Sequence, residues 1–125
     1  MRVKTFAFLV ALSMMLAGSG GAFAHGEDDH AQTTVRGEIL DMACYVAHEA
    51  KGPDHAACAE RCVKGGQPMG LLAEDGTVYL LYANHKDGSA FEQAKEFAGQ
   101  DVEIVGIAAT RAGIKGIEVS SVKKL

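Results

Sequence analysis

Residues 69–82 read MGLLAEDGTVYLLY. Two apolar, β-prone runs, Met69–Ala73 and Thr77–Tyr82, flank Glu74-Asp75-Gly76, and an Asp-Gly pair between such runs signals a hairpin. Tyr79 and Tyr82 fall on opposite faces of the second run, which predicts one core and one surface tyrosine. Working upstream, Thr33 to Asp41 carries β-branched residues with partial alternation and reads as a strand that precedes the hairpin. Working downstream, Asn84 to Gly88 is a polar loop in which His85 stands alone, more suited to solvent than to a ligand role. Ser89 and Glu92 have the spacing of a capping box, Phe91, Ala94 and Ala98 recur at helical spacing, and Gly99 suits a helix stop, so a short helix is predicted over 90–98. Asp101–Thr110 and Ile114–Lys123 read as two further strands around a turn at Arg111-Ala112-Gly113. Val102, Ile104 and Gly106 share one face of the former, and Ile117 and Val119 one face of the latter.

The order is strand, insert, strand, strand, helix, strand, strand. Five strands with a helix between the third and fourth is the layout of an OB-type barrel, a mainly β fold; a five-stranded roll of other topology is the alternative.

The insert after the first strand holds the unusual chemistry. Residues 41–70 read DMACYVAHEAKGPDHAACAERCVKGGQPMG and contain all three cysteines, Cys44, Cys58 and Cys62, with His48 and His55. Gly52-Pro53-Asp54 suits a helix start, three alanines favour its continuation, and Gly65-Gly66 suits its end. On that helix His55, Cys58 and Cys62 stand at i, i+3 and i+7, on one face. Cys44 must fold back toward them, and if residues 42–49 turn helically His48 lies one turn beyond it.

Three kinds of chemistry fit these residues. In the first, Cys44, His55, Cys58 and Cys62 bind a transition metal ion, with His48 as a possible substitute; thiolate and imidazole suit Zn²⁺, and soft sulfur also suits Cu(I). In the second, two of Cys44, Cys58 and Cys62 form a disulfide and one stays free, stapling a barrel that recognises a peptide or glycan. Cys58–Cys62 is the poor pair, since residues four apart on a helix have Cβ atoms about 5–6 Å apart where a disulfide wants roughly 3.5–4.5 Å. In the third, Cys58 or Cys62 is the nucleophile of a thiol oxidoreductase, although the spacing is CxxxC rather than CxxC, and no CxxCH haem motif is present. An unpaired thiol is a liability in an oxidising compartment, which favours the metal. Arg61 and Lys64 flank Cys62 and are expected to favour its thiolate. Asp41, three residues before Cys44, suits either the outer acceptor of a histidine proton or the cap of the turn that leaves the strand. No Gly-rich phosphate loop, Gly-x-Ser-x-Gly elbow or Walker lysine occurs, and no catalytic residue is assigned.

Gly37-Glu38-Ile39, Asp41, Cys44-Tyr45, His55, Cys58-Ala59, Cys62, Gly66, Pro68 and Gly70-Leu71-Leu72 form a spaced pattern. In it the chain resembles small exported bacterial proteins of OB-like fold, most of them uncharacterised. The resemblance covers most of residues 35–125. It implies the fold and the exported location and brings no established activity. His48 and the histidines of the N-terminal stretch lie outside the pattern.

That N-terminal stretch reads as an address followed by a leader. Arg2 and Lys4, the apolar run from Phe6 to Leu16 and Ala22-Phe23-Ala24 have the form of a signal peptide over 1–24, cleaved to start the chain at His25. The run is short for a membrane span, so no stable anchor is expected after cleavage, and the location is periplasmic or secreted. Residues 25–32 form an acidic leader read as disordered; an amine and imidazole at His25, with His30 nearby, could make a weak copper contact. Residues 33–125 are then one small domain. The chain carries 12 basic and 16 acidic residues, and loss of Arg2 and Lys4 makes it more acidic still, which argues against a nucleic-acid partner.

Overall fold

The computed structural model describes residues 31–125, so the signal and leader expectations, with His25 and His30, lie outside the described residues. The first strand, β1 (Gln32–Asp41), runs directly into a helix, α1 (Met42–His48). A 3-10 turn at Pro53–His55 then leads into α2 (Ala56–Lys64). The hairpin follows as β2 (Met69–Ala73) and β3 (Val78–Ala83), its turn closed by the Ala73 amide on the Thr77 carbonyl at 2.8 Å, with Gly76 at φ 84°. After it come α3 (Ser89–Ala94), a 3-10 turn at Lys95–Phe97, β4 (Asp101–Arg111) and β5 (Ile114–Lys124).

The strands close a barrel in the order β1-β2-β3-β5-β4, with β4 returning to β1. All neighbours are antiparallel except β3 and β5. This is the OB-type barrel expected from the element order. Closure leaves each of the five strands paired on both sides, which removes the free edges that invite aggregation. No helix among the described residues is long and apolar enough to cross a membrane.

The core follows the predicted faces. Ile39, Leu71, Leu81, Val102, Ile104, Ile117 and Val119 are buried inside the barrel, with Ala94 and Ala98 from the segment between β3 and β4. Tyr79 packs against this core and Tyr82 is exposed. From the insert, α2 contributes Ala59 and Val63, both buried in the same cluster. These residues stand four apart, one stripe of the helix, so α2 lies on the barrel along a fixed line.

Two backbone details set the frame. Gly99, at φ 73°, donates its amide to the Ile39 carbonyl at 2.7 Å, and a Cβ there would run into the Ala56 backbone. The segment before β4 thus presses directly on the first residue of α2. At the other hairpin, Ala112 (φ 49°) and Gly113 (φ 84°) are the two residues between the paired Arg111 and Ile114. Two consecutive positive φ angles match the type I′ turn that fits strand twist.

The capping box is not formed. Ser89 lies inside α3, and the N-cap position falls on Gly88, with no side-chain bond. Asp87 accepts from the Ser89 amide at 2.9 Å instead, while Glu92 pairs with Lys95 at 2.8 Å. An Asp two residues before an amide makes its own turn, and here it takes the donor that a Ser89 cap would have needed. The helix is also shorter than 90–98, since its last turn tightens to 3-10 geometry.

Candidate metal centre

Asp41 is the last residue of β1 and the N-cap of α1; its Oδ1 accepts from the Ala43 amide at 3.0 Å. That cap turns the chain from β1 directly into α1, which carries Cys44. The start of α1 is tied down by the Met42 amide on the Pro68 carbonyl at 3.0 Å. The helix stops at Glu49, in left-handed conformation at φ 54°, whose amide returns to the Tyr45 carbonyl at 2.8 Å. The chain reverses through Gly52, its amide held by the Glu38 carboxylate on β1. The 3-10 turn then delivers His55 at the N-terminal end of α2. With Ala59 and Val63 turned into the core, Cys58 and Cys62 fall on the adjoining stripe.

These elements bring Cys44, His55, Cys58 and Cys62 close enough together to bind a metal ion, in two overlapping donor sets. The sulfurs of Cys44, Cys58 and Cys62 lie within 4.8 Å of one another, and so do Cys44 sulfur, a His55 nitrogen and an Asp41 carboxylate oxygen. Two sulfurs each about 2.3 Å from one zinc lie less than about 4.6 Å apart, so the spacing is close to what one ion would impose. All three thiols are free and half-buried. Two polar atoms in the same place are buried without a hydrogen-bond partner, Oδ2 of Asp41 and Nε2 of His55. Buried polar atoms are rarely left so.

The electrostatics of the cluster favour a cation. Asp41 meets a burial penalty, but hydrogen bonding from the Cys44 and Cys62 thiols and from the Ala43 and Cys44 amides outweighs it and lowers the carboxyl pKa. Sulfur is a weak donor, and neither thiol completes a bond to Oδ2 in acceptable geometry. The Cys44 thiol is pushed up to about 12, first by its hydrogen bond to Asp41, then by burial and the neighbouring negative groups. Burial raises Cys62 as well, helped by Asp41 and Cys58. Ionising several sulfurs beside a carboxylate stacks like charges, and a metal ion supplies the charge that relieves them.

The expectation that Arg61 and Lys64 favour the Cys62 thiolate is not met. Lys64 is engaged with Glu60 and Glu96, each at 2.6 Å, and Arg61 is exposed. The Cys62 pKa moves up, because burial and the Asp41 carboxylate act on it while Lys64 is paired elsewhere. His48 is exposed at the last turn of α1 and belongs to neither donor set. His85 is exposed on its loop. Asp41 is the residue the sequence undervalued: it caps the turn, as one reading had it, and also joins the donors. Its place three residues before Cys44 was the available signal.

Fold and cluster together define a small OB-type barrel whose β1–β2 insert carries a thiol-rich donor set. Comparison with protein-family models, curated proteins and solved structures found no match for the chain.

Proposed function

We propose that this chain is an exported binding domain, of the small bacterial OB-like kind that its motif pattern resembles, and that it holds one transition metal ion. Cys44, His55, Cys58 and Cys62 are the ligands, with zinc in a structural role as the first choice and copper handling as the second. The observation that carries the reading is the convergence of three free sulfurs, one of which, Cys44, also lies close to Asp41 and His55, residues that each have a buried, unpartnered polar atom. A disulfide would satisfy neither of those atoms. The upward shift at Cys62 speaks against that residue as the nucleophile of a thiol oxidoreductase, which needs a ready thiolate.

The test uses protein purified from the cell envelope without reductant. Metal analysis followed by a thiol count after chelation is expected to give one bound ion and three titratable thiols. One thiol and no metal would transfer the weight to the disulfide-stapled peptide- or glycan-binding module. That second reading has one observation of its own, an apolar groove lined by Leu80, Tyr82, Ala109, Arg111, Ile114 and Gly116.

A further inference from the structure

We infer that Asp41 binds the same ion directly, as an oxygen ligand, and so biases the site toward a borderline divalent ion such as Zn²⁺ over Cu(I). This rests on the metal-binding reading above and adds to it a ligand and a selectivity.

Asp41 is 1% exposed. One of its oxygens is spent on the Ala43 amide and the other has no partner. The imidazole beside it has a buried Nε2, also unpartnered. Asp41, His55 and Cys44 offer donors within 4.8 Å of one another. If His55 binds the ion through that buried nitrogen, the nitrogen has no proton left for Asp41. Metal-bound cysteines are thiolates, so Cys44 and Cys62 then have none either. The thiol protons that the carboxylate otherwise draws on are consumed by binding, which leaves the Cys44 amide and the ion as the partners for the buried oxygen.

Five donors exceed the usual four of zinc. A half-exposed thiol can stand off into solvent at less cost than a buried carboxylate oxygen. Oxygen is a good ligand for Zn²⁺ and a poor one for Cu(I), which is content with sulfur. Asp41 therefore contributes to divalent binding and little to cuprous binding.

The experiment compares the full chain with Asp41→Asn and Cys58→Ser, each reduced and stripped by chelator. Asparagine caps helices as well as aspartate, so Asp41→Asn keeps the α1 turn, and an unchanged melting temperature of the metal-free variant verifies this. Titrations use Co²⁺ as a spectroscopic probe, then Zn²⁺ and Cu(I) against competing chelators. Asp41→Asn is expected to shift the Co²⁺ ligand-field bands and weaken Zn²⁺ by about tenfold or more, with Cu(I) affinity changed less than about twofold. Unmoved bands, or equal losses of Zn²⁺ and Cu(I), would show Asp41 acting only as a cap or positioning group and would overturn the inference. If Cys58→Ser loses Zn²⁺ while Asp41→Asn does not, this inference fails and the metal site stands. If the unaltered chain takes up none of the three ions, both fail together.

Discussion

Cys44 holds its proton up to about pH 12 in the folded, metal-free chain, against an ordinary thiol value of 9.0. A group whose pKa is raised by folding stabilises the fold below its unfolded value and loses that contribution as pH rises through the folded one. The metal-free protein is therefore expected to lose melting temperature between pH 9 and pH 12, and Cys44→Ser to flatten that decline. Thermal melts across this window decide it; a flat profile for the unaltered chain would count against the Asp41–Cys44 contact. The same shift makes metal uptake proton-coupled. Binding at pH 7 must displace the protons of the thiol ligands, so apparent Zn²⁺ affinity is expected to climb by about one decade per pH unit for each thiol bound. Calorimetry in buffers of different ionisation enthalpy counts the protons released. Cys44→Ser, which removes the sulfur common to both donor sets, is also expected to lower both metal content and the melting temperature of the loaded protein; unchanged values for both would argue against the site.

At the level of elements, α2 holds its place by what it buries and by what presses on it. Gly99 abuts Ala56 at a positive φ. Gly99→Ala adds a left-handed backbone penalty of about 1–2 kcal/mol and a collision that moves the start of the helix, next to His55. Urea unfolding is expected to register the loss, and Zn²⁺ affinity to fall with it; retained affinity would mean that His55 tolerates the shift. Lys64, on the outer face of the same helix, is the contrast. Its two ion pairs are largely exposed, so Lys64→Ala is expected to cost less than about 1 kcal/mol and to leave the alkylation rate of Cys62 unchanged. A marked drop in that rate would restore the role for the cation that the geometry denies.

Across the whole molecule, the barrel was legible because each strand announced itself locally. Asp75-Gly76 marked the hairpin, and the alternation at Val102, Ile104, Ile117 and Val119 marked core faces that are indeed buried. Strand order followed from element order, since few topologies accommodate five strands with one helix between the third and fourth. The nearness of Cys58, Cys62 and His55 was legible from their spacing along one helical stretch, and Cys44 joins them from α1. Asp41 was harder, because a carboxylate beside a strand end has an adequate local job, and only the folded chain shows its second oxygen left without one. Arg61 and Lys64 misled for a related reason. Adjacency in sequence says nothing of Glu96, 32 positions along, which helps to neutralise Lys64. Metal binding should also couple to the stability of the entire barrel, through Ala59 and Val63 on the helix that bears two of the sulfurs. A melting temperature that rises with Zn²⁺ concentration and returns on chelation is the expected signature.

One position offers engineers a route to a hardier variant without disturbing any donor. Ala112 occupies the first site of a mirror-image reverse turn, where its methyl group is disfavoured. Asparagine there would recreate the Asn-Gly dipeptide that nature prefers for such hairpins. The gain should be on the order of 1 kcal/mol, conferred by a surface loop that plays no part in coordination.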